Sequence, residues 1–338
     1  MKLSIVIPCY NMQEYLPACL NSLVEQDISS NDLQIILVND GSIDQTLQIA
    51  QNYAEKYNNI IVIDKVNNGV GAARNTGLDH ATGTYIYFLD PDDYIASNCL
   101  TPLLKLIELN NLDILSFKST PVKQDNYKIK VDFRLDKQLN ITDGISYISN
   151  KKYQNEIWWF FIKTNFLKES KIRFIEGRWM EDAILTAKLF CAAKRMAHVN
   201  WNVHRYRILP TSAMRNKSSE HYNKVIFDNA NAAEVFDELI KSIDLKHEKS
   251  GNCIKRLRTR QQSFVFFLLV RLMKSDLNLS EIKPLLHTFK SIGAYPLNNF
   301  LGEDYNGISY KILVFVLNNK PLIIPFMKIY RLLTMNFK

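Results

Sequence analysis

Residues 88–94 read FLDPDDY, which sets Asp90, Asp92 and Asp93 at the end of an apolar run. Like charges this close repel unless a cation neutralises them, and Asp-x-Asp at a strand end suits a hard divalent ion that completes its shell with phosphate oxygens. Asp-Pro-Asp-Asp is also good turn material, and a solvated cluster capping a helix that starts near Ser97 would account for the same residues. Position at the end of a strand favours the cation.

A second pair of acids stands in RWMEDAILTAKLF, where Glu181 and Asp182 open a helix with Ile184, Leu185 and Leu189 on its apolar face. Acids favour a helix N-terminus through the macrodipole; the competing role is a general base acting on a substrate hydroxyl. In VNDGSID, Ser42 and Asp44 can cap a helix over 45–56, but capping does not need Asp40, whose carboxylate can accept from a nucleobase N–H. NNGVGAARNTG lacks the last glycine of a dinucleotide fingerprint, so its interest lies in Arg74 and Asn75. A surface arginine is usually just solvated, yet one flanked by small residues at a crevice mouth can meet phosphate or base. VHRYRILPTSAMR adds His204, Arg205, Arg207, Ser212 and Arg215 around a polar loop, a cationic cluster suited to a pyrophosphate. His204 reads either as a structural histidine or as a further metal ligand.

These side chains need a scaffold that brings them together. From residue 3 to about 100, short runs such as LSIVIP, LQIILVND, IIVID and TYIYFLD alternate with helical periods, as strands of a parallel sheet covered on both faces require. In such an α/β layer sandwich ligands sit beyond the carboxyl ends of the strands, so PCYN, NDGS and DPDD should converge on one crevice. Residues 101–210 read as mixed, with a strand at LDILSFK, an aromatic cluster at IWWFFI and a short strand near RMAHVN. From 213, AMRNKSSEHYNK loses its apolar period and reads as a mobile loop or hinge, and the chain beyond it reads as helices.

A chain of 338 residues, 47% apolar and 22% charged, is long enough for two units and has the composition of a folded protein. The net charge of +8 points to anionic partners. The basic residues of the first domain form no stripe interleaved with aromatics, so nucleic acid is not read as one of them. Five scattered cysteines without Cys-x-x-Cys spacing give no structural zinc site and read as reduced thiols in a cytoplasmic compartment. The opening MKLSIVIPCYN breaks at Pro8 and is too short for a secretory leader. No window holds the roughly 18 to 20 apolar residues of a spanning helix.

In order and spacing, VIPCYN, ILVNDGSIDQT, GVGAARNTGL, YFLDPDD and WMEDAIL resemble family 2 glycosyltransferases of the GT-A fold, over about residues 1–215. The resemblance implies a Rossmann-like mixed sheet with a nucleotide-binding half over 1–100, an acceptor half over 101–215 and a helical extension over 216–338. It also implies a nucleotide-diphosphate sugar donor, most often UDP-linked, with Mn²⁺ or Mg²⁺, and inversion at the anomeric carbon. Carried over to this chain, Pro8, Tyr10 and Asp40 would line the base and ribose pocket, and Arg74 with Asn75 would help hold the nucleotide. Asp90 would meet the ribose or the hydrated metal, and Asp92 would bind the metal directly. Asp182 of the Glu181–Asp182 pair would be the base, and Arg74 or Arg207 would stabilise UDP as it leaves. Asn39, where the family often has a second Asp, and the third acid Asp93 depart from the usual pattern and bear on donor preference.

A sugar-phosphate nucleotidyltransferase would carry a Gly-rich phosphate loop with Arg and Lys after its first strand, which VIPCYNMQEY lacks. A catalytically inactive nucleotide-sugar-binding or membrane scaffold module would not need Asp90, Asp92 and Asp182 together. From Lys311 onwards the cations Lys311, Lys320, Lys328, Arg331 and Lys338 accompany apolar runs with no acid among them. This tail reads as a helical core or homodimer surface, or as an interfacial helix on an anionic membrane that serves a lipid-linked acceptor. With cell-surface polysaccharide or glycan synthesis as the setting, the expected location is cytoplasmic, peripheral at the cytoplasmic face of the inner membrane.

Overall fold

The computed structural model describes residues 1–123, 131–134, 138–209, 218–302 and 304–335, and the chain divides into two units. The first comprises Met1–Tyr147 and Gln154–Pro210, the second Ile148–Tyr153 and Thr211–Lys338. The division thus falls a few residues before 215, and the short stretch 148–153, expected inside the first unit, belongs to the second.

The strands of the first unit are β1 (Leu3–Cys9), β2 (Leu33–Asp40), β3 (Ile60–Lys65), β4 (Tyr85–Phe88), β5 (Tyr94–Ile95), β6 (Ile114–Val122), β7 (Phe160–Lys163) and β8 (Met196–Arg207). They form one mixed sheet in the order β3-β2-β1-β4-β7-β6-β8-β5. The run β3, β2, β1, β4 is parallel, so PCYN, NDGS and DPDD leave the sheet at the same edge. β7 is antiparallel to both β4 and β6, and β5 is antiparallel to β8.

Burial explains the strand sequences. On one face Leu3, Ile5 and Ile7 pack with Leu16, Leu20 and Leu23 of α1 (Leu16–Val24) and with Leu100, Leu103 and Ile107 of α4 (Leu100–Leu109). On the other, Val6 meets Gly77 of α3 (Val70–His80), where an added Cβ would lie 2.2 Å from the valine Cγ1. With helices on both faces β1 is buried throughout and apolar except for Ser4, whose hydroxyl donates to Gln34 Oε1. α2 (Thr46–Lys56), α5 (Gly144–Asn150), α6 (Thr164–Ser170) and α7 (Glu181–Ala192) complete the helices before β8.

Two local expectations change. The helix after the acidic cluster begins at Leu100 rather than near Ser97, because β5 intervenes and Asn98 turns the chain left-handed at φ 55°. Asp90, Asp92 and Asp93 therefore cap no helix there. The short strand near RMAHVN is twelve residues long and runs through VHRYR, so His204, Arg205 and Arg207 stand on β8 and not on a loop. Buried Val199, Trp201 and Val203 alternate with exposed Asn200 and Asn202, the period of two that a half-covered strand requires.

The second unit is helical: α8 (Ser219–Lys241), α9 (Ser250–Leu272), α10 (Lys283–Ser291), α11 (Ile308–Asn318) and α12 (Lys320–Met335). α8 packs on α9 through Phe236 against Phe264, and Gln261 Nε2 donates to the Ala233 carbonyl at 2.9 Å. Of the expected loop over AMRNKSSEHYNK, residues 213–217 lie outside the described residues, and from there on the chain is helical, Ser218 Oγ accepting from His221 N at the start of α8. Its polar first turns are solvent-facing, which is why they lack an apolar period. Ser212 and Arg215 lie outside the described residues. No described helix is long and apolar enough to cross a membrane.

Gly77→Ala should destabilise the protein by about 1–3 kcal/mol through overpacking on Val6, read as a lower urea midpoint at unchanged m-value. An unchanged midpoint would show that β1 and α3 can part without penalty.

Candidate active site

The carboxylates of Asp90, Asp92 and Asp93 project from the turn between β4 and β5, with one oxygen of each within 4.8 Å of the others. Asp93 N donates to the Asp90 carbonyl at 3.1 Å and closes the turn. Burial, then Asp93 and Asp90, pushes the Asp92 carboxyl up to about 7. Burial, then Asp90, holds Asp93 well above the usual carboxylate range. Hard oxygen donors whose mutual repulsion is only partly relieved fit a hard divalent cation.

The pairing of β5 with β8 brings Asp93 to Arg207, whose backbone N–H donates to Asp93 Oδ1 at 2.8 Å. Arg207 Nη1 donates to the Asp92 carbonyl, and its guanidinium packs over Tyr15 and Tyr94 at 5.1 and 5.5 Å. His204 is fully buried on the same strand, stacked on Trp158 at 4.2 Å. Its Nδ1 lies 2.8 Å from Ser119 Oγ and its Nε2 3.2 Å from Asp93 Oδ2. Burial pulls its pKa down to about 3, so the ring is neutral.

Arg74 joins the acidic turn to α7. Its Nη2 donates to Asp90 Oδ1 and its Nη1 to Glu181 Oε1, both at 2.8 Å, and the guanidinium lies 5.3 Å from the centre of the Phe174 ring. Burial opposes its charge, but Asp90, Glu181 and Asp182 outweigh burial and hold it protonated above its ordinary range. Met180 precedes α7 in the left-handed region at φ 68°, a conformation that non-glycine residues seldom adopt and that aims Glu181 and Asp182 from the helix start. Glu181 is committed to Arg74. The partly exposed Asp182 accepts from Ala183 N at 2.6 Å. Burial, then Glu181, pushes the Asp182 carboxyl well above its usual range against the pull of Arg74.

Asp40 ends β2 and organises the loop into α3. Its Oδ1 accepts from Lys65 Nζ at 2.7 Å and Asn68 N at 3.0 Å, and its Oδ2 from Gly69 N at 2.8 Å. Asn39 donates from Nδ2 to Asp64 Oδ1 at 2.6 Å on the neighbouring strand, a bond a second aspartate could not make as a carboxylate. The loop after β1 is laced to the loop after β2: Asn11 N donates to Ser42 Oγ at 3.0 Å and Gln13 N to Asp44 Oδ2 at 3.1 Å. Just before these anchors Tyr10 is 46% exposed, while Pro8 is buried within β1.

The model of glycosyl transferase family 2 matches residues 4–177, just over half of the chain. The chain belongs to this family. It is 31% identical over 214 residues to the uncharacterized glycosyltransferase EpsJ of Bacillus subtilis, covering 62% of each protein. Against the poly(ribitol-phosphate) beta-N-acetylglucosaminyltransferase TarS of Staphylococcus aureus it is 29% identical over 210 residues, 61% of this chain and 35% of TarS. The match thus spans less than two thirds of either relative. The processive diacylglycerol beta-glycosyltransferase of Mycoplasma pneumoniae is 25% identical over 313 residues, 86% of this chain and 85% of that one. The crystal structure of S. aureus TarS 1–349 with UDP-GlcNAc superposes at a TM-score of 0.57 and 22% identity over 89% of each chain, which shows the shared fold. The first unit is a GT-A fold.

Several residues singled out from the sequence stand differently in this family 2 chain. Arg74 is not at a crevice mouth but 4% exposed, with its guanidinium spent on two carboxylates. Asn75 is equally occupied: Nδ2 donates to the Phe174 carbonyl and to Glu176 Oε1, and Oδ1 accepts from Phe174 N, pinning this segment onto α3. His204, read as a structural histidine or a metal ligand, stands within the sheet with Nδ1 at Ser119 Oγ and Nε2 beside Asp93 of the acidic cluster. Sequence reasoning did not single out Lys65, Glu156 or Trp158. Glu156 adds to the upward push on Asp182, and nothing in IWWFFI indicated that Trp158 would lie flat on His204.

Arg74→Met should lower stability by about 3 kcal/mol or more, because Asp90 and Glu181 lose their shared cation in a part-buried setting. Chemical denaturation measures it. A loss under about 1 kcal/mol would mean that water or protons neutralise both acids at little expense.

Proposed function

We propose that the protein is an inverting glycosyltransferase that moves a sugar from a nucleotide-diphosphate donor, a UDP-sugar, to an acceptor hydroxyl by a single displacement. The observation that carries this reading is the Asp90, Asp92 and Asp93 cluster at the edge where β1, β2 and β4 end, joined through Arg74 to the acids that open α7. Asp92 and the oxygen of Asp90 turned away from Arg74 would hold Mn²⁺ or Mg²⁺. Such an ion would neutralise charge on the donor diphosphate as the glycosidic bond breaks.

The chain's own groups do the remaining work. Tyr10, beside Pro8, offers an exposed ring to the base, and Asp40 holds the loop that borders it, with its carboxylate as acceptor for a base N–H. Arg207 brings a fixed positive charge to the diphosphate side of the cluster. Asp182 takes the proton of the acceptor hydroxyl, which attacks the sugar on the face opposite the leaving group. Glu181 and Arg74 orient that carboxylate through α7.

For the acceptor we favour a glycan or lipid-linked molecule of cell-surface polysaccharide synthesis, with the enzyme at the cytoplasmic face of the membrane. The names of TarS and the M. pneumoniae relative, one for a poly(ribitol-phosphate) and one for a diacylglycerol enzyme, support acceptors of these two kinds.

Asp92→Asn should abolish metal-dependent UDP binding in calorimetry, whereas Asp182→Asn should retain binding and lose transfer. Equal loss of binding in both would overturn the division of roles. If neither the wild type nor any variant turned over a panel of UDP-, GDP- and dTDP-sugars, the chain would be an inactive nucleotide-sugar-binding module.

Two pH effects follow, with opposite probes. A proton competes with the cation at Asp92, so metal affinity should rise with pH until about 7 and then level, by up to about tenfold per unit on the acid side. Since the base must be ionised, transfer at saturating metal should rise with pH through the raised pKa of Asp182. A rate independent of pH across the neutral range would remove Asp182 as the base.

A further inference from the structure

We infer that the outward faces of α11 and α12 dock the protein on the surface of an anionic lipid bilayer. This deepens the proposed function and rests on it for the purpose of docking, a membrane-borne acceptor; the docking itself is tested apart from sugar transfer.

The observation is a helix pair apolar on both sides. α11 buries Val314 and Leu317, and α12 buries Ile323 and Met327. Arg331 fastens α12 to the end of α9, its Nη2 donating to the Leu272 carbonyl at 2.9 Å. With that inner side satisfied, the outer side should be polar. Instead Ile308, Ile312 and Phe315, at i, i+4 and i+7 of α11, are 79%, 57% and 63% exposed. On α12, Ile324, Ile329 and Leu332 are 51%, 57% and 65% exposed. Scattered exposed apolar residues need no explanation, but six concentrated on two consecutive helices form a patch that marks a binding surface.

Charge selects the partner. Among the described side chains of this outer set the ionic ones are Lys311 and Lys328, both exposed, and the sequence has no acid after Asp304. Large apolar side chains alternating with lysine suit a bilayer interface, where the former enter the acyl boundary and the latter meet anionic headgroups. A second copy of the same face would set lysines against lysines without an acid to answer them. Length fixes the mode of binding. The 16 residues of α12 reach about 24 Å, short of a hydrocarbon core of roughly 30 Å, so the helix lies in the interface and does not span it.

The test is flotation of the full chain with vesicles of phosphatidylcholine alone and of phosphatidylcholine mixed with phosphatidylglycerol. The wild type should float with the mixed vesicles roughly tenfold more than with the zwitterionic ones, and lose that preference in high salt. Ile312→Glu combined with Ile329→Glu should abolish flotation. Lys311→Glu combined with Lys328→Glu should remove the preference for phosphatidylglycerol. All of these positions are solvent-exposed, so UDP binding by calorimetry should be unchanged in both variants.

Absence of wild-type flotation, or flotation of the Ile312→Glu, Ile329→Glu variant at the wild-type level, overturns the docking. So does a wild-type dimer in light scattering that the same variant converts to monomers, since the face would then join two copies. Vesicle binding without turnover of any nucleotide sugar would leave docking standing and remove the transfer reading.

Discussion

The guanidinium of Arg74 is the point on which the rest of the site depends. A charged group with this little exposure is tolerated when carboxylates meet it in good geometry, and here two do so from distant parts of the chain. One is Asp90 at the end of β4; the other is Glu181 at the start of α7. Satisfying Arg74 therefore fixes where the acidic turn and the α7 acids stand with respect to each other. Asn75, the next residue, anchors the segment around Phe174 to the same helix. α3 can come close enough to do this because its small residues lie against β1 and against the backbone at Ile175.

A second force works against the first. Asp90, Asp92 and Asp93 crowd at one turn, and the protein relieves only part of their repulsion: Arg74 takes Asp90, and the Arg207 backbone takes Asp93. Among the described residues Asp92 receives no comparable partner, and burial with its acidic neighbours pushes its carboxyl up to about 7. Backbone geometry keeps these groups together, since β4 and β5 are each tied into the sheet on either side of the turn. Electrostatic stress maintained in this way is a common feature of sites that gain a cation or substrate.

The family relationship and the physical reading meet in the first unit. The parallel strands, the shared edge and the motif order were legible because periodicity and strand ends are local properties. β8 was readable too, in the alternation of VNWNVHRYR, but its cationic residues suggested a loop and hid the period of two. Such alternation in a strand with arginine signals that the arginines have partners within the sheet or at its end. The start of α8 escaped notice for the opposite reason, since its first turns face solvent and carry no apolar period.

The sequence by itself determined which residue types were available and which edge of the sheet would gather them, because strand direction and side-chain patterning are written in short windows. It also determined that the tail would combine apolar runs with cations and no acids. Only the tertiary structure decided which charges meet. Arg74 and Glu181 lie 107 positions apart, Asp93 and Arg207 114 apart, and no local pattern encodes such pairs. Packing made Arg74 and Asn75 internal ties and buried His204 as a neutral ring beside Asp93. Burial and pairing are properties of the folded chain, and they set both the charge state and the availability of each side chain.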